Sequence, residues 1–114
     1  MLTMLGIPNC DTVKKARKFL DANAVSFEFR DLRKTPLDDA EWRALLEQDA
    51  DGALINTRGP SFRKLGVKLD ELDVDGKVDA LLTQPTIMKR PVMVESGRLC
   101  SIGFKEERFQ EYVG

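Results

Sequence analysis

At 114 residues, with 42% hydrophobic and 32% charged side chains, the chain has the composition of one ordinary globular domain, long enough to bury roughly two thirds of its unfolded surface without disulfides or metals. Its 18 basic and 19 acidic residues are interspersed and sum to a net charge of -1, which removes the basic stripe that direct nucleic-acid binding needs. The absence of histidine excludes imidazole base catalysis and most zinc sites, so any chemistry rests on thiol, carboxylate, lysine or arginine. No apolar run approaches the ~20 residues of a membrane span and the N-terminus lacks a secretory leader, so the expected location is the cytoplasm.

Thr3 to Leu5 reads as a short buried strand ended by Gly6 and Pro8. A helix follows over about 11–24, with Val13, Ala16, Leu20 and Ala24 on its core face at three- and four-residue spacing. Val25, Phe27 and Phe29 alternate with polar residues, the period of a half-buried strand. Strand, helix and strand within about thirty residues imply a right-handed crossover and a parallel pair. Thr35-Pro36-Leu37-Asp38 then carries the signals of a helix start, with Thr35 as cap, proline in the first helical position and an acid three residues after the cap. That helix holds Ala40, Trp42, Leu45 and Leu46 and ends near Gln48. From Asp51 to Thr83 isolated apolar residues between glycines read as short helices. Arg90 to Glu95, the Ser96-Gly97 dipeptide and Arg98 to Ile102 read as an antiparallel hairpin. A closing helix over about 105–113 turns Phe109, Tyr112 and Val113 inward. A four-stranded mixed sheet with helices packed on it buries all these faces. There is no internal repeat and no linker, and the whole of 1–114 is expected to be one domain with a helical insertion over about 36–84.

The stretch that carries chemistry is Gly6-Ile7-Pro8-Asn9-Cys10-Asp11-Thr12-Val13. It sets Cys10 at the N-terminus of the first helix, where unpaired N–H groups and the positive end of the helix dipole stabilise a thiolate. The competing reading of Cys10 is a small buried hydrophobe, but a polar turn at the lip of a helix offers little apolar contact. Val13 stands where a Cys-x-x-Cys motif would have its second sulfur, so this is a one-thiol site. Two further polar turns, Asn56-Thr57-Arg58-Gly59-Pro60 and Lys89-Arg90-Pro91, offer guanidinium groups that could hold an anion or lower a thiol pKa, or could be solvated surface. Cys100 falls in a strand expected inside the sheet and reads as a packing residue, not a resolving thiol.

Gly6-Ile7-Pro8-Asn9-Cys10-Asp11-Thr12-Val13-Lys14-Lys15-Ala16-Arg17, Asn56-Thr57-Arg58, Lys89-Arg90-Pro91 and Ile102-Gly103-Phe104, in this order over the whole chain, resemble the arsenate reductase-like proteins of the thioredoxin superfamily, particularly the YffB-like branch, with the Spx-type regulators close by. The resemblance implies an α/β thioredoxin-like fold, a four-stranded mixed sheet flanked by helices, with the helical insertion between its βαβ and ββα halves. It implies a cis Arg90-Pro91 peptide facing the nucleophile Cys10. It also implies a substrate- or glutathione-binding set of Asn9, Arg58, Arg90 and Pro91, and no metal. Two departures stand out. Arsenate reductases of this type carry a further arginine directly after the Leu-Cys of the last strand, where this chain has Ser101, and Spx-type regulators commonly have Cys-x-x-Cys where this chain has Val13.

The function expected from residues and resemblance together is a glutathione-dependent thiol reductase that forms and resolves mixed disulfides on Cys10. Glutathione is the co-substrate, a second glutathione or a glutaredoxin resolves the intermediate, and no cofactor is bound. The alternative is an Spx-type regulator that binds RNA polymerase, or another binding protein that senses oxidation. A true arsenate reductase is the weaker expectation.

Overall fold

The computed structural model describes all of Met1–Gly114. In chain order it contains β1 (Leu2–Gly6), α1 (Asp11–Ala22), β2 (Glu28–Asp31), α2 (Asp39–Gln48), α3 (Pro60–Arg63), α4 (Val74–Thr83), β3 (Val92–Glu95), β4 (Arg98–Ile102) and α5 (Glu106–Phe109), with short 3-10 turns at Leu69–Glu71, Pro85–Ile87 and Gln110–Tyr112. Two compact units divide the chain: Met1–Thr35 with Arg90–Gly114, and Pro36–Lys89.

The first unit is built on a mixed sheet of order β2-β1-β3-β4, with β1 parallel to β2 and antiparallel to β3, and β3 antiparallel to β4. This is the βαβ and ββα pairing expected of a thioredoxin-like fold. The apolar spacing of α1 does what its periodicity predicts: Val13, Ala16 and Leu20 are fully buried and meet Met4 of β1, Met93 of β3 and Phe109 of α5 in one core. Met4 and Leu5 are both buried although they point to opposite faces, as a central strand covered on two sides requires. Ser96 and Gly97 take positive φ of 49° and 83°, which a two-residue hairpin turn with strand-matching twist needs.

Several boundaries differ from the sequence reading. Helix α1 stops at Ala22, because the Asn23 side-chain amide donates to the Phe19 carbonyl and Ala24 turns into the left-handed region at φ 56°, leaving Ala24 exposed and not in the core. The second strand begins at Glu28, later than the alternation from Val25 implies. Its start is set by pairing with β1 at Thr3↔Glu28, and Val25 and Phe27 still pack against the core from the approach to it. The closing helix is one α turn, Glu106–Phe109, followed by a 3-10 turn. Strand β4, expected inside the sheet, forms its edge, and its pairing with β3 slips between Met93 and Val94. Met93 faces Ser101 while Val94 faces Leu99, so Cys100 is the extra, unpaired residue of a β-bulge. Its carbonyl accepts a hydrogen bond from the Arg108 guanidinium, and the Ser101 hydroxyl hydrogen-bonds the Tyr112 hydroxyl.

The second unit is helical, with Trp42 and Leu45 of α2, Phe62 of α3 and Val78 and Leu81 of α4 among its buried residues. Its first helix starts at Asp39, not after Thr35. Asp38 accepts the Glu41 N–H at 2.8 Å while the Glu41 carboxylate accepts the Asp38 N–H at 3.1 Å. That reciprocal capping box satisfies two donors at once and wins over the Thr35-Pro36 signal. Thr35 instead belongs to the first unit, its N–H donating to the Asp31 carbonyl at 2.8 Å. A bridge between Ile55 and Met88, flanked by Asn56 N–H to Ile87 and Lys89 N–H to Leu54 hydrogen bonds of 2.8 Å, ties the C-terminal end of this unit to its middle. No helix of the protein is long and apolar enough to cross a membrane.

Candidate active site

Gly6 ends β1 and the chain turns through Ile7, Pro8 and Asn9, with Pro8 and Asn9 exposed. Cys10 is the N-cap of α1, extended at φ -143° and ψ 122°, and its carbonyl accepts the first helical hydrogen bond from Lys14 N–H at 2.9 Å. Its side chain is half-exposed, with its inner side against the core. The resting thiol makes no capping hydrogen bond that closes to full geometry. The charged form is nevertheless favoured. Partial burial pushes the thiol pKa up, but the Val13 N–H, the hydrogen bond and charge of the Arg90 guanidinium and the Thr12 N–H together outweigh it, so the pKa lies below the ordinary thiol value. Thr12 and Val13 are the second and third residues of the helix, the positions whose N–H groups have no carbonyl to meet and turn toward a cap side chain.

Arg90 reaches this sulfur from the segment entering β3. Its Nε is buried, and the peptide that joins it to the buried Pro91 is cis, as expected. The Pro91 carbonyl accepts the Gly103 N–H at 2.8 Å, tying that segment to the end of β4. Cys10, Arg90 and Pro91 are thus all held by the first unit, with Asn9 exposed in the turn before the thiol. Arg58 is exposed in the second unit, in a turn where its N–H donates to the Asn56 side-chain oxygen at 3.2 Å. The Asn56-Thr57-Arg58 turn runs into α3, whose first residue is Pro60. No group of three or more Cys, Asp or Glu side chains is arranged to hold a metal ion.

Both cysteines are free thiols. Cys100 sits on β4, two strands from β1, which is roughly 10 Å across a sheet. It borders a cavity shared with Met1, Leu2, Ala24 and Tyr112, at the start of β1, whereas Cys10 follows the end of β1. A disulfide needs Cα atoms within ~7 Å, so the placement of Cys100 keeps it out of reach of Cys10. Among the unpaired N–H groups expected at this helix start, those of Thr12 and Val13 are identified by counting two and three residues beyond the cap.

The lowered thiol pKa links folding to pH. The native thiol ionises before the unfolded one, so between the two values only the unfolded chain holds the extra proton, and stability rises with pH across that window. The contribution is complete above the unfolded value, ~8.5 to 9, and is lost as pH falls through the native value. Thermal melts of the reduced protein from about pH 6 to 9 should therefore show the wild type gaining on Cys10→Ser as pH rises. Parallel curves would mean an ordinary thiol.

The sequence matches the ArsC family model over residues 5–112. The chain belongs to the ArsC family. Among curated relatives, the global transcriptional regulator Spx of Enterococcus faecalis is 32% identical over 115 aligned positions, covering 99% of this chain and 86% of the regulator. The solved structure of a YFFB protein superposes with a TM-score of 0.87 at 30% identity over the whole of both chains. A possible arsenate reductase from Streptococcus mutans does so with a TM-score of 0.82 at 32% identity over 92% of each chain. The thioredoxin-like architecture with a helical unit between its two halves is therefore that of the ArsC family, and the turn bearing Cys10 lies inside the matched region.

Proposed function

We propose that this ArsC-family chain is a glutathione-dependent thiol reductase working through one cysteine. The observation that carries the reading is the convergence on Cys10, at the cap of α1, of the Val13 N–H, the Arg90 guanidinium and the Thr12 N–H, which lowers the thiol pKa and favours the thiolate. In the proposed reaction the Cys10 thiolate attacks the glutathione sulfur of a glutathionylated substrate. A Cys10–glutathione disulfide forms, and the substrate sulfur leaves as a thiolate that takes a proton from water. A second glutathione thiolate then attacks the glutathione sulfur bound to Cys10, giving oxidised glutathione and returning the Cys10 thiolate. A glutaredoxin-like protein could deliver the same second thiolate. Arg90 both favours the Cys10 thiolate and offers its fork to a glutathione carboxylate. Asn9 borders the approach to the sulfur. Arg58 joins this set on the resemblance alone. A reducing cytoplasm fits both free thiols.

Intact mass after incubation with oxidised glutathione tests this directly. The wild type should gain one glutathionyl group and Cys10→Ser none. Arg90→Ala and Arg58→Ala should each weaken glutathione binding by roughly 1.5 to 3 kcal/mol, the scale of a charged hydrogen bond left unmade. Unchanged affinity in both, with the fold intact, would remove the arginines from the reading.

The Spx relatives favour a second reading, a regulator that binds RNA polymerase and in which Cys10 only senses oxidation. A stable complex that forms equally well with Cys10→Ser would select it. Arsenate reduction is the weaker proposal, because Ser101 stands where a third arginine would be and its hydroxyl is engaged by Tyr112.

A further inference from the structure

The gap that matters lies one step behind the thiol, between the last residue of β1 and the first turn of α1. A methyl group built on Gly6 would stand 3.0 Å from Cγ2 of Val13, 3.5 Å from its Cγ1 and 3.7 Å from Cε1 of Phe29. The first of these is tighter than nine in ten such contacts, so a neighbour would have to give by a few tenths of an ångström. Val13 has little freedom to do so. It is fully buried in the core with Met4, Ala16, Leu20, Met93 and Phe109, and a β-branched side chain in a helix has one strongly preferred rotamer. Phe29, on the other side of the gap, lies beneath the Arg17 guanidinium at 4.3 Å. The strand is no softer: Gly6 pairs with Asp31 of β2, and its carbonyl accepts the Leu32 N–H at 2.9 Å. What remains free to move is the first turn of α1, which has a capping side chain at Cys10 but no closed capping hydrogen bond.

From this close approach we infer that Gly6 is a positioning residue for Cys10: the missing side chain lets α1 seat against β1 so that the Val13 N–H stays aimed at the Cys10 sulfur. The inference deepens the reductase reading and rests on it. Val13 has two parts in it, since its side chain sets the depth at which the helix sits and its backbone N–H favours the Cys10 thiolate. Gly6 itself has an ordinary negative φ and is not needed for a turn. Its requirement is space alone, which separates it from Gly97 and Gly103, both at positive φ.

Gly6→Ala should push the helix start away from the strand and weaken the Val13 N–H contact with the thiolate. The readout is the rate of Cys10 alkylation against pH, compared with the melting temperature of each variant. Gly6→Ala should move the midpoint of that profile up by about half to one pH unit, the effect of loosening one charge-assisted hydrogen bond. Adding Val13→Ala removes the methyl groups in the way, and should return the midpoint toward the wild type while the melting temperature stays low. A residue needed only for packing would not recover its thiol chemistry in a less stable double variant. If Gly6→Ala is too unstable to purify, Val13→Ile crowds the same gap from the helix side and should raise the midpoint too. A Gly6→Ala profile superimposed on the wild type, or a raised one that Val13→Ala leaves raised, would overturn the positioning role. A wild-type midpoint at the ordinary thiol value would instead overturn the reductase reading, whatever Gly6→Ala does.

Discussion

Cys10→Ser should abolish turnover of glutathionylated substrates, while Cys100→Ser leaves it nearly unchanged. A serine hydroxyl at the same helix cap is not ionised at neutral pH and cannot form a disulfide, so the loss is complete and does not depend on how well the rest of the site survives. Cys100 is the residue to compare, because it is also free and also lies in the first unit, but it sits on the edge strand and borders a cavity that reaches the start of β1, the end away from Cys10. With no local second thiol, release must come from outside, and the steady-state rate should rise with glutathione concentration. An intramolecular Cys10–Cys100 disulfide in the oxidised protein, together with loss of turnover in Cys100→Ser, would show a two-thiol enzyme.

The largest stability effect should come from Phe109→Ala, far along the chain from the thiol. Phe109 is wholly buried, and its ring meets Phe104 at 4.8 Å, Tyr112 at 5.2 Å and Phe19 at 6.2 Å, all edge to face. Removing it deletes the hub of that aromatic cluster and opens a cavity against Val13, Ala16 and Leu20 of α1. The expected loss is about 3 to 5 kcal/mol, which is much of the 5 to 15 kcal/mol that holds a small domain together. Urea unfolding followed by far-UV circular dichroism measures it, with an unchanged slope showing that the comparison is fair. A loss under about 1 kcal/mol would mean that the cluster repacks around the gap.

The parts of the fold that could be read in advance are those fixed by neighbours in the chain. The spacing of Val13, Ala16 and Leu20 decides the buried face of α1, Ser96-Gly97 decides the hairpin, and a polar turn before a helix puts Cys10 at a cap. Sequence and structure differ where two local signals compete or where a distant partner decides. Asp38 and Thr35 both look like caps, and the reply from the Glu41 side chain settles the contest. The start of β2 depends on the register that β1 offers, not on the alternation of Val25, Phe27 and Phe29. Arg90 favours the Cys10 thiolate from far away in sequence, so spacing alone does not distinguish it from a solvated surface arginine. The tight fit of Gly6 against Val13 was hidden because both residues have blander roles, one in a turn and one in a core.

The bulge at Cys100 also bears on what the sheet can recruit. A strand whose ladder slips by one residue cannot offer another strand a continuous row of donors and acceptors, and here one of the carbonyls in question is already held by Arg108. The opposite edge, β2, is only four residues long. Neither border of the sheet is a good template for a fifth strand from a second molecule, so this chain can carry the Cys10 turn on a small open sheet without inviting the edge-to-edge stacking from which fibrils grow.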